Sequence, residues 1–268
     1  MENKIWDNIQ KVKTASPLVH NITNYVVMNS SANALLAVGA SPVMAHSEDE
    51  MKDMVKIANA LVINIGTLSE KWINAMKIAL KEANNLNKPV VFDPVGAGAT
   101  PYRTETVREL LQTGSMSIIR GNASEIIAML SAEHKTKGVD STQTAENAVE
   151  SAKILNKKHK SVISISGETD YIISENSIAK IHNGHELMPV ITGMGCTATA
   201  LTGAFAAVMD DFSEAAISGM ALMGVAGELA ASLSDGPGSL QVHFYDKLYN
   251  LTREEFLKTI KLKIENYA

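Results

Sequence analysis

Thr192-Gly193-Met194-Gly195-Cys196-Thr197 stands between an apolar segment, residues 189–192, and a run of small residues over 198–208. The first reads as a strand leading in and the second as a buried helix leading out. Two glycines in the turn let backbone N–H groups point into one space, and the helix N-terminus adds its partial positive charge there. Such a place holds an anion, often a phosphate. The helix that follows (TATALTGA, residues 197–204) is slim enough to pack hard on a sheet, which sets its N-terminus at the sheet edge. The chain's one cysteine, Cys196, sits at the mouth of the turn, where a helix N-terminus is expected to favour thiolate and lower the pKa. On the residues alone, the turn also reads as a plain tight connection, and Cys196 as an inert buried thiol.

Outward from the turn, helical and strand patterns alternate. Helices are expected at 4–13, 24–38, 48–59, 70–84 (with Ser69 as N-cap), 105–111, 124–130 and 142–157. Strands are expected at 41–45, 60–65, 90–92, 115–120 and 161–166, followed by an antiparallel hairpin of 170–174 with 178–182. Beyond the glycine turn everything reads as helix: 197–208, 213–232, 240–250 and 254–264. Near-continuous apolar strands between helices imply an α/β class, with a mostly parallel central sheet covered on both faces. No linker divides residues 1–268, which read as one domain, and 133–141 is the best candidate for a surface excursion.

Composition narrows the function. A net charge of -5 argues against nucleic acid as a partner, because phosphate neutralisation needs a basic face. One cysteine cannot form an internal disulfide, which suits a reducing cytoplasm. The start, MENKIWDNIQKVK, lacks the basic end and apolar core of a signal peptide. The apolar stretch 198–233 is interrupted by Asp210, Asp211, Glu214 and Glu228, so it reads as two buried helices and no membrane span.

In parallel sheets ligands bind beyond the carboxyl ends of the strands. The polar residues expected there are Asn64 and Gly66, Asp93, Arg120 with Asn122 and Glu125, Ser166 with Gly167, and the turn itself. An Arg that ends an apolar strand beside a carboxylate suits a phosphate clamp. Asp93 suits a magnesium-bound water, since Mg²⁺ keeps several waters and takes few protein carboxylates. Asn122 to Glu125 also fits a simple capping box, and Asp93 before Pro94 a simple turn. Met44, at a strand end, reads either as core or as the lining of an apolar ligand pocket. The histidines lack a third ligand at any spacing that suits zinc; His182 and His185 read as solvated loop residues. No GxxxxGK[ST], GxGxxG or GxSxG motif is present.

Five segments together resemble the hydroxyethylthiazole kinase family, within the ribokinase-like fold: HNITNYVVMNSSANALLAVGASPVMAH (20–46), ALVINIGTL (60–68), PVVFDPVGAGATPYR (89–103), IIRGNASEI (118–126) and TGMGCTATALTGAF (192–205). The resemblance implies ATP-dependent phosphorylation of the hydroxyl of 4-methyl-5-(2-hydroxyethyl)thiazole. It also implies Mg²⁺ and a homotrimer with active sites between subunits. It assigns ATP contacts to Arg120 and Ser166, beside Gly167, although the family commonly has Thr where Ser166 stands. It assigns magnesium to Asp93 and Glu125, and the thiazole to Met44 and Gly193, with Asn24 nearby. The turn, Gly193 to Cys196, would stabilise the transferring phosphoryl group through its amides, Gly195 included. Cys196 stands where most ribokinase-like enzymes have a catalytic Asp. Three other readings remain beside this one: a kinase of another small alcohol, such as hydroxymethylpyrimidine; a regulator on the same fold that binds ATP without turnover; and a structural oligomer whose glycine turn is mere packing.

Overall fold

The computed structural model describes residues 1–134 and 145–267. Its elements run α1 (Glu2–Ala15), β1 (Leu18–Ile22), α2 (Met28–Val38), β2 (Ser41–Val43), α3 (Met51–Ile57), β3 (Ala60–Asn64), α4 (Glu70–Asn85), β4 (Val90–Asp93), α5 (Pro101–Thr113), β5 (Ile118–Asn122), α6 (Ala123–His134), α7 (Ala145–His159), β6 (Val162–Ser166), β7 (Asp170–Ile173), β8 (Ser177–Ile181), α8 (Met194–Ala206), α9 (Phe212–Ala231), α10 (Pro237–Asn250), α11 (Arg253–Thr259) and β9 (Leu262–Asn266).

One nine-stranded sheet carries the order β2-β1-β3-β4-β5-β6-β7-β8-β9. Strands β1 to β6 pair in parallel, and β7 to β9 close one edge antiparallel. Side chains alternate across the sheet. Val62 and Val91 join the core beneath α1, α2, α8, α9 and α10. Leu61, Ile63, Val90 and Phe92 join the core beneath α3 to α7. The layered α/β architecture read from the sequence is therefore present, and so are the Ser69 cap, which accepts from Trp72 N, and the β7–β8 hairpin.

Four local readings are corrected. Residues 18–22 form β1, a strand the sequence reading left out; His20 and Asn21 interrupt its apolar run, yet both are buried between β2 and β3. The helix expected at 24–38 accordingly begins at Met28. The helix expected at 254–264 ends at Thr259, and Leu262–Asn266 turns into an edge strand on β8. The segment before the glycine turn is a single turn of 3-10 helix, Met188–Val190, with Pro189 in its first turn, and not a strand. The excursion expected at 133–141 falls largely outside the described residues.

Helix α9 is long and apolar enough to cross a membrane, but 89% of that window is buried inside the fold. It is a core helix, as its acidic residues suggest.

Candidate active site

Parallel pairing brings the polar ends of β3 to β6 to one edge. Asn64 is in register with Asp93, and Asn122 with Ser166. Helix α8 lies against this edge, and its N-terminus opens into a cleft of about 980 Å³. Asp93, Arg120, Asn122, Glu125, Ser166, Gly167 and residues 193–196 all line it.

The turn owes its shape to two close approaches. Gly193 is the N-cap of α8 with φ 83, and a Cβ there would lie 2.5 Å from Val27 Cγ1. A Cβ on Gly195 would lie 2.7 Å from Arg120 Nη1. The guanidinium therefore rests directly on the turn. No side chain caps the first turn of α8, and the amides of a helix's first turn have no intrahelical acceptor. Those of Met194, Gly195 and Cys196 thus face a cleft that also holds Arg120, which makes an anion site of two independent parts.

Arg120 Nη2 donates to Ser166 Oγ at 2.5 Å, and Nη1 lies 3.9 Å from Asp93 Oδ2. Asp93 is buried; its Oδ2 accepts from Asn64 Nδ2 at 2.9 Å and Thr199 Oγ1 at 2.7 Å. Its Oδ1 has no hydrogen-bond partner among the described residues. Burial pushes the Asp93 carboxyl up to about 6, against the pull of Arg120. Glu125 forms the expected capping box: Asn122 Oδ1 accepts from Glu125 N at 2.9 Å, and Glu125 Oε2 accepts from Asn122 N at 2.8 Å. Its other oxygen accepts from Gly96 N at 2.8 Å, which ties the loop after β4 to α6. The two oxygens of Glu125 thus serve the cap and the loop tie, and the side chain also lines the cleft.

Cys196 overturns the expected thiolate. It is the third residue of α8, and its thiol is pushed up to about 11 by burial first and by Asp93 second. A helix terminus contributes only about 0.3–1 kcal/mol toward the thiolate, and burial opposes it more strongly. Burial wins, and at neutral pH the group is a thiol. Asn24 Nδ2 donates to its Sγ at 3.5 Å and to Asn64 Oδ1 at 2.9 Å. Asn24 thus sits behind Cys196, buried, and does not line the cleft. Met44 follows β2, half-buried, and does not line the cleft either. His182 and His185 are exposed, as expected, on the cleft rim.

Three participants escaped the sequence reading. Thr199 was legible only as a small helix residue, one turn past Gly195. Asp170 is buried behind Gly167, whose N–H it accepts at 3.0 Å, and burial pushes its carboxyl up to about 6. Arg103 donates to the carbonyls of Ile65 and Val95 at 2.7 Å and of Gly66 at 2.9 Å, binding the loops after β3 and β4 together. Its signal was its place at the end of the segment 89–103.

Comparison with known proteins gives the family of the chain. Residues 9–254 match the model of the hydroxyethylthiazole kinase family. A hydroxyethylthiazole kinase of Syntrophus aciditrophicus is 56% identical over 258 residues, 96% of each chain. The solved structure of a hydroxyethylthiazole kinase protein from Pyrococcus horikoshii OT3 superposes with TM-score 0.91 at 40% identity, covering 98% of this chain and 99% of that one. A ribokinase-like superfamily protein from Enterococcus faecalis shares the fold at TM-score 0.66 and 13% identity, over 92% and 89% of the two chains. The fold is ribokinase-like, and the chain belongs to the hydroxyethylthiazole kinase family.

Proposed function

We propose that this chain transfers the γ-phosphoryl group of ATP to the primary hydroxyl of 4-methyl-5-(2-hydroxyethyl)thiazole, in thiamine biosynthesis or salvage. The observation that carries the reading is the anion site at the edge of β3 to β6: an uncapped helix turn with Arg120 seated on Gly195. Arg120, Ser166 and Gly167 bind the nucleotide phosphates, and the amides of the turn meet the transferring group.

Mg²⁺ fits the residues present. Asp93 Oδ1 is a buried oxygen without a partner, and Glu125 stands in the same cleft. Among the described residues no cluster of three His, Cys, Asp or Glu could form an all-protein cage, which suits a cation held by one or two carboxylates, waters and substrate phosphates. When bound, Mg²⁺ neutralises charge on the phosphate oxygens.

The acceptor oxygen attacks phosphorus as the bond to the ADP oxygen breaks, and the hydroxyl proton passes to a phosphoryl oxygen or to solvent. In a loose transition state the attacking hydroxyl needs little help from a base. Positioning and charge stabilisation suffice, which accommodates a thiol where relatives of the fold carry a carboxylate. Cys196, held by Asn24, orients the hydroxyl.

Met44 lies outside the single-chain cleft, next to an edge strand. That supports a homotrimer in which a second subunit completes the thiazole pocket with Met44 and Gly193. The protein is read as one kinase domain, residues 1–268, working in the cytoplasm. The test is acceptor-dependent ADP release. The thiazole alcohol yields ADP and a monophosphate in equal amounts, and 5-ethyl-4-methylthiazole, which lacks the hydroxyl, yields neither. ATP consumption that ignores the acceptor would defeat the reading.

A further inference from the structure

The two oxygens of Asp93 occupy unlike settings. Oδ2 takes two donors, Thr199 Oγ1 at 2.7 Å and Asn64 Nδ2 at 2.9 Å, with Arg120 Nη1 3.9 Å away. Oδ1 has none among the described residues, although it is buried. Buried carboxylates ordinarily use both oxygens, so the asymmetry asks for a cause.

Both donors are themselves fixed. Thr199 is fully buried on α8. Its alternative acceptor is the Gly195 carbonyl at 3.3 Å. A hydroxyl has one proton, and the shorter, charge-assisted contact takes it. The amide of Asn64 has its orientation set from the other side, because Gly66 N–H donates to its Oδ1 at 2.9 Å. Nδ2 must then face Asp93. Two immobile donors on one oxygen pin the plane of the carboxylate and leave the other oxygen without a donor among the described residues, in a residue that lines the cleft.

We propose that Thr199 and Asn64 are positioning residues for phosphoryl transfer: they hold Asp93 with one oxygen free toward the cleft. Thr199, one helical turn beyond Gly195, also joins the anion-binding turn and the carboxylate into a single rigid unit. The inference rests on the kinase reading above.

The test compares Thr199→Val, an isostere without the hydroxyl, with Thr199→Ser, which keeps it. Two readouts are used: steady-state kinetics, and Mn²⁺ binding to the enzyme–ADP complex followed by electron paramagnetic resonance. Thr199→Val is expected to lower kcat and Mn²⁺ affinity about ten-fold each, with KM for both substrates within about two-fold, the scale of one hydrogen bond to a charged group. Thr199→Ser is expected to restore both to within about three-fold. If Thr199→Val does not fold, Asn64→Ala removes the other donor and is expected to show the same split. Wild-type kcat and Mn²⁺ affinity in Thr199→Val would overturn the inference. So would a Thr199→Ser that fails as badly, since the methyl group and its packing would then be what matters. A wild-type enzyme that makes no thiazole phosphate would defeat the kinase reading alone, and the Mn²⁺ titration would still judge the positioning role.

Discussion

Cys196 shows how much a residue's environment outweighs its address. By position it belongs to the helix N-terminus, where thiols ionise readily. By surroundings it is a half-buried group near a carboxylate, with its thiol pushed up to about 11. A thiol raised in this way is poorly suited to be the principal base at neutral pH. Cys196→Ala is therefore expected to lower kcat by about ten-fold without abolishing it, and Cys196→Asp to retain or raise turnover. Steady-state rates on the thiazole alcohol check both; complete loss in both variants would make the thiol indispensable. Asp170 is the converse case, a buried carboxyl whose cost is paid by the fold. Its carboxyl rises from 3.8 to about 6, so the folded protein holds the proton more tightly than the unfolded chain. Stability from this group is thus fully present below about pH 4, and declines until about pH 6. Asp170→Asn keeps an acceptor for Gly167 N–H and drops the charge. It is expected to match the wild type near pH 4 and to exceed it by about 1–3 kcal/mol at pH 7. Denaturant unfolding of the ligand-free protein at the two pH values checks this, and equal stability at pH 7 would contradict it.

At the scale of elements, what was legible in the sequence was what local pattern determines. The small-residue run gave α8, Ser69 gave the start of α4, and Asn122 with Glu125 gave the start of α6. What escaped depends on distant partners. Strand β1 carries His20 and Asn21 inside the sheet, and β9 alternates weakly; each is a strand because a neighbour offers a free edge. The site divides in the same way. Asp93, Arg120, Glu125, Ser166 and the glycine turn could be named from strand ends. Thr199 and Asp170 could not, since their roles arise from contacts 106 residues away in one case and from burial in the other. The fit between Gly195 and Arg120 makes the element-scale prediction. In Gly195→Ala the new methyl group would crowd Nη1 from 2.7 Å, and the guanidinium would shift from its place beside Ser166 and Asp93. The melting temperature is expected to shift by a few degrees at most, while the KM for ATP rises about ten-fold, the scale of a lost charge-assisted contact. A variant with unaltered KM for ATP would show that the guanidinium does not need that seat.

At the scale of the molecule, six parallel strands place every polar strand end on one edge, and α8 delivers the helix terminus to the same place. The antiparallel β7 to β9 extend the sheet on the far side and bring the exposed His182 and His185 to the rim of the cleft. The opposite edge, beyond β1, carries Met44. In the proposed reading one chain supplies the phosphate end and a second subunit completes the acceptor end, which would tie function to assembly. The choice of acceptor is decided by kcat/KM across a panel of alcohols with ATP. 4-methyl-5-(2-hydroxyethyl)thiazole is expected to exceed ribose, pyridoxal and hydroxymethylpyrimidine by about a hundred-fold or more, the discrimination available to a shaped pocket. Equal turnover of the four, or a preference for any of the other three, would contradict it.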